Sequence, residues 1–78
     1  MTEKPRVGDT VCLSEEGYGT VHLRSADAYE RAKRMVITYV SAQSLTKPEQ
    51  TWEIRVDHPE VDQYLLTNWD VEPITAAS

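Results

Sequence analysis

A second cysteine is missing from this chain of 78 residues, and with it any internal disulfide. A lone thiol, Cys12, is what a reducing cytoplasm permits, so a cytoplasmic protein is expected. Long apolar runs are missing too. Nothing approaches the ~20 residues of a membrane helix, and no membrane partner is expected. Residues 1–6 are polar and no apolar segment follows, so no signal peptide is expected. Positive charge is scarce: eight Lys and Arg stand against thirteen Asp and Glu, a net charge of −5. That balance argues against general nucleic-acid binding, which draws on cations against phosphate. Glycine is equally scarce, and all three glycines lie within residues 6–21.

What is present reads as one small domain, residues 1–78, with flexible ends at about 1–5 and 75–78. A chain this short buries only roughly 60% of its unfolded surface, so a partner or self-association would help its core. Val7, Val11 and Leu13 fall on one face at period two, and Val21 with Leu23 repeats the pattern. Residues 7–14 therefore read as a strand entered through Gly8-Asp9, 15–19 as a glycine-bearing turn, and 18–24 as a second strand. Thr20, His22 and Arg24 then form that strand's wet side. Ser25 and Asp27 are N-caps of a helix, supported by Asp27–Arg31 and Glu30–Arg34. Two continuations stay open. Either the helix ends near Arg34 and a run of β-formers makes a strand over 35–42, or a stripe of Ala28, Ala32, Met35, Val36, Tyr39 and Val40 carries it to about Gln43. The first is preferred. Residues 44–50 read as a loop around Lys47-Pro48.

Residues 52–57 alternate most cleanly, with Trp52, Ile54 and Val56 facing in and Glu53, Arg55 and Asp57 facing out. Pro59 opens a helical turn over 60–64. Tyr64, Leu65 and Leu66 add core, 67–70 turn, and 71–74 close the sheet as an edge strand that tolerates Pro73. The fold class expected is mainly β: about five strands and one inserted short helix. The alternative is α+β, an antiparallel sheet packed on one long helix.

This layout resembles the small SH3-like (KOW-like) β-barrels. The resemblance rests on Val7-Gly8-Asp9-Thr10-Val11, on Gly19-Thr20-Val21, on the central strand Trp52-Glu53-Ile54-Arg55-Val56-Asp57, and on Trp69-Asp70-Val71-Glu72-Pro73-Ile74. In the last stretch such barrels often place a one-turn helix and an edge strand ending in Glu-Pro. The chain departs from the pattern at residues 25–34, where a helix is inserted. The family includes nucleic-acid-binding modules, accessory subunits of electron-transfer and hydratase enzymes, and the plasmid-borne type II dihydrofolate reductases. The Val-Gln-Ile-Tyr strand that lines the reductase pore is absent here, and that activity is not carried over. A shared fold supplies only a shortlist of functions.

Chemistry-bearing residues are sparse. Cys12 and His22 would share a face of a two-strand hairpin, but a catalytic pair is not expected from that alone. Cys12, His22, His58 and Asp57 lack the close spacing of a metal site, so no metal and no cofactor are expected. Asp57, Glu60 and Asp62 read as a solvated acidic stretch. Trp52 reads as core. Tyr18 and Trp69, placed in turns, read as partner contacts. Arg24, Arg31, Lys33 and Arg34 hold half of the basic residues, whereas from Glu49 onward seven acidic residues face only Arg55. The expected function is a non-catalytic protein-binding or accessory module that docks on a partner or on itself through a sheet edge, loop aromatics and the basic helix. Two other readings are an oligomer with a small-molecule or enzyme site between subunits, and a nucleic-acid module using the basic helix.

Overall fold

The computed structural model describes residues 3–42 and 50–74. The chain runs β1 (Thr10–Leu13), α1 (Glu15–Thr20), α2 (Ala26–Ala32), β2 (Met35–Val40), β3 (Glu53–Val56), α3 (Pro59–Asp62), β4 (Leu66–Thr67), a 3₁₀ turn (Asn68–Asp70) and β5 (Val71–Pro73). The strands form one sheet in the order β4-β3-β2-β1-β5. Every neighbouring pair is antiparallel. The sheet curls into a half-barrel around Val11, Leu13, Met35, Ile37, Ile54, Val56, Val61, Leu66 and Val71, all buried. Burying a side chain the size of Met35 or Ile37 contributes about 1.5–3 kcal/mol.

The hairpin expected at residues 7–24 does not form. Val7, expected in the core, is 66% exposed in the turn before β1. That turn is closed by Asp9 N–H donating to the Arg6 carbonyl at 3.0 Å, with Gly8 at φ 98° supplying the left-handed step. Past Leu13 the chain enters α1 instead of turning back. Ser14 caps it, its Oγ accepting from Gly17 N–H at 3.1 Å, and Glu15 and Glu16 favour the positive end of the helix. Gly17 is therefore helical, and its role is close approach. A Cβ there would collide with the Asp70 carbonyl and lie 3.0 Å from Leu13 Cδ2. Residues 21–24 belong to no helix or strand, yet Val21 is buried and Leu23 packs partly against the core.

The preferred continuation of the middle is the observed one, and the single long helix is not formed. Ser25 caps α2 through Ala28 N–H at 3.1 Å, and β2 begins at Met35. The strand expected at 35–42 ends at Val40, and most of the loop expected at 44–50 lies outside the described residues. In β2 the register slips between Ile37 and Tyr39. Thr38 and Tyr39 together oppose Arg55, a β-bulge that leaves both exposed and returns Val40 to the Ile54 side. Trp52, Ile54 and Val56 are buried as expected, and Glu53 and Arg55 are exposed. Leu66 joins the core, whereas Leu65, expected beside it, is 74% exposed. Pro5 is fully buried.

Residues expected to form a plain turn at 67–70 hold the end of β4 and the 3₁₀ turn, stabilised by a capping box between Thr67 and Asp70. Around them lies a buried polar hub. Asn68 Oδ1 accepts from Trp52 N–H at 3.0 Å, and the Asp70 carbonyl accepts from Ser14 N–H at 2.9 Å. Ser14 Oγ donates to the Trp69 carbonyl at 2.7 Å, and Thr20 Oγ1 donates to Asp70 Oδ1 at 3.2 Å. The hub ties the start of α1 and the start of β3 to the turn before β5.

Candidate functional site

Both outer strands end in protected edges. Asn68 N–H donates to the Trp52 carbonyl at 3.1 Å and Leu66 faces Ile54, so the backbone groups of Thr67 point away from β3. The Thr67 N–H is taken by Asp70 Oδ2 at 2.9 Å. On the other side, Ile74 N–H donates to the Thr10 carbonyl at 3.3 Å, which turns the neighbouring Pro73 outward, where it has no N–H to offer. A charge-capped amide and a proline are means of blocking strand addition, so neither edge suits the docking role expected of it.

Tyr18 and Lys33 are brought together; the other predicted contacts are dispersed. Tyr18, on α1, stacks on Tyr29 of α2 with centroids 6.2 Å apart and planes at 17°. Both rings remain exposed, at 40% and 47%. Lys33 pairs with Glu30 at 2.9 Å, which raises the lysine pKa, and Tyr18 adds a smaller electrostatic effect in the same direction. Arg24, Arg31 and Arg34 are exposed around the same helix, and no ion pair reaches them among the described residues. Trp69 is half-buried, its indole N–H donating to Thr51 Oγ1 at 3.1 Å, so it belongs to the polar hub as much as to the surface.

The geometry behind a Cys12–His22 pair is gone, because His22 follows α1 rather than lying on a strand beside β1. Cys12 instead faces Glu72 across β5. Burial first, and the Glu72 charge second, push its thiol pKa up, the wrong direction for a nucleophile at neutral pH. Asp57 accepts from Val36 N–H at 2.9 Å, and Asp62 holds Arg55 through two hydrogen bonds at 3.2 and 2.9 Å. These carboxylates are structural ties, not an acid–base pair. His58 is 2% exposed. Its Nε2 lies 3.0 Å from the Ala28 carbonyl, so this nitrogen carries the proton and pins α2 to the start of α3. No group of three or more His, Cys, Asp or Glu among the described residues could hold a metal ion. No helix among them is long and apolar enough to cross a membrane.

A second surface was not singled out in the sequence. An open groove of about 530 Å³ lies along the outer face of β2–β3–β4 and the end of α3, lined by Tyr39, Glu53, Arg55, Asp62, Tyr64 and Leu65 among others. Tyr39 is 52% exposed. In a regular strand over 35–42 it would share the inner side of Ile37, and the bulge that turns it outward has no sequence mark. Tyr29 stands beside Ala28, off the buried stripe of α2, and no local signal marks it as the partner of Tyr18. Compared with protein-family models, curated proteins and solved structures, the chain matches none of them.

Proposed function

We propose that this chain is a small, non-catalytic protein-binding module of the SH3-like barrel type, working in the cytoplasm and docking on a partner protein or on itself. The observation that carries the reading is the stacked, solvent-facing pair Tyr18–Tyr29 beside Lys33. Two pre-stacked aromatic rings present contact area with little ordering left to do, and tyrosines are frequent interface anchors. Arg24, Arg31 and Arg34, exposed on or beside the same helix, would steer an acidic partner surface. The barrel type is supported by the one-turn helix before β5 and by the Glu72-Pro73 end of that strand.

The enzymatic reading is weakened by the raised Cys12 pKa. The nucleic-acid reading is weakened by Asp27 and Glu30, which interrupt the cations of α2, and by the net charge of −5. The test compares material retained from the native host by the wild-type chain and by a Tyr18→Ala/Tyr29→Ala double variant, alongside sedimentation velocity of both. The expected result is a protein, or a self-associated species, present with the wild type and lost with the double variant. Identical retained material and two monomers would overturn the reading.

A further inference from the structure

The groove on the outer sheet face is a built surface rather than a gap between loops. The bulge at Thr38 turns Tyr39 outward opposite Arg55. One step beyond the Ile54–Leu66 pair, Leu65 comes beside Arg55 on the other side. Tyr39, Arg55 and Leu65 thus form one row across three neighbouring segments, with Tyr64 half-buried at the side. Leu65 is 74% exposed, the most exposed large apolar side chain described. The groove volume, about 530 Å³, lies within the ~300–1,000 Å³ range of ligand clefts.

Its charges do not cancel. Arg55 is held by Asp62, whose Oδ1 also accepts from Val56 N–H at 3.1 Å, so the guanidinium is fixed and its charge is matched. Glu53 lines the same groove, and its carboxylate has no hydrogen bond or ion pair among the described residues. The charge left without a partner among the described residues is therefore the Glu53 carboxylate, in a groove that Tyr39, Tyr64 and the exposed Leu65 also line. Carboxylate and ring faces both attract a cation, and leucine offers an apolar neighbour a contact. The protected β4 edge means that recognition here runs through side chains and not through an added strand.

We propose that this groove takes a segment of a partner protein that presents an arginine or lysine side chain next to an apolar one. The cation lies against Glu53 on the Tyr39 side of the groove, and the apolar side chain lies on Leu65. The inference rests on the protein-binding reading but uses a different surface from the Tyr18–Tyr29 pair.

The test follows amide shifts of the ¹⁵N-labelled chain on titration with acetyl-Leu-Arg-Leu-amide and with its Leu-Gln-Leu and Leu-Glu-Leu counterparts, at low and moderate salt. The expected result is a shift of residues 39, 53, 64 and 65 by the Arg peptide, weaker with Gln and absent with Glu. Glu53→Gln should lower Arg-peptide affinity by roughly twofold to fivefold, the range of an exposed charge pair, and leave the Gln peptide unchanged. Tyr39→Ser, at an exposed position, should weaken both. No shift at millimolar Arg peptide, or equal shifts from the Arg and Glu peptides, would overturn the proposal. So would concentration-dependent shifts of these residues in the peptide-free chain, which would make a second copy the occupant. If the groove stays silent while the Tyr18/Tyr29 double variant still loses its partner, the groove assignment falls and the binding-module reading stands.

Discussion

The 3₁₀ turn Asn68–Asp70 and the helix α2 both concentrate polar side chains, yet the turn buries them and the helix keeps them in water. In the turn, Asn68 is fully buried and Asp70 is 8% exposed, and their side chains accept from groups of other segments, Asn68 from the Trp52 amide and Asp70 from the Thr20 hydroxyl. On α2 only Ala28 and Ala32 are buried, and the charged residues reach at most a neighbour three positions away. The difference separates architecture from surface. A buried polar group must be satisfied, so its removal is costly. An exposed one is free to serve a partner, and its removal leaves the fold intact.

Substitutions at two glycines of α1 would break this contrast most visibly. Gly17→Ala drives a methyl group into the Asp70 carbonyl of the hub, and an expected loss of about 3 kcal/mol would appear in urea unfolding. Gly19→Ala meets nothing within 4 Å and should stabilise the helix by roughly 0.5–1 kcal/mol. Equal effects at the two positions would show that the hub does not press on α1. Next in size, Asn68→Ala strips the Trp52 amide of its acceptor and should cost about 2 kcal/mol. Tyr29→Ala, exposed on α2, should change stability by less than about 1 kcal/mol in the same assay.

Cys12 sharpens the comparison at a half-buried position. With its thiol pKa raised by burial and by Glu72, alkylation at neutral pH should be slower in the native chain than in urea. Glu72→Gln should speed the native reaction modestly, since the smaller of the two raising effects is then removed. The smallest expected effect is the pH response of the Arg55–Asp62 pair. The Arg55 hydrogen bonds hold the Asp62 carboxyl below its ordinary range. Its contribution to stability is therefore complete above the ordinary aspartate pKa and is lost as pH falls through the lowered value. An acid titration of unfolding free energy should show a shallow drop there, reduced by exposure of the arginine and absent in Asp62→Asn.

The strand at Glu53–Val56 and the inward side of Trp52 were legible, with one residue too many at each end, because a strand with one wet face writes its alternation directly into the sequence. Residues 14–20 were not, because the same glycines that mark a turn also permit a helix to touch a neighbouring backbone. Only the position of Asp70, 53 residues beyond Gly17, decides between those uses. Ser14 followed by Glu15 and Glu16 was the available local sign of a helix start. Of the candidate surface, Tyr18 and the basic residues of α2 were visible as exposed types in exposed places. Tyr29 became a partner of Tyr18 only through the packing of two helices. The groove depends on strand register, which no single stretch encodes.

The extra residue in β2 has one more implication. Thr38 shares its place opposite Arg55 with Tyr39, so deleting it would restore strict pairing of Ile37, Tyr39 and Val40 with Val56, Arg55 and Ile54. Each of those side chains would keep its present side of the sheet, and what would be lost is the local bend. In this protein the curl of the wall and the identity of its inner and outer residues are thus written at separate positions, so the shape of the shell could change in descent without exchanging its lining for its surface.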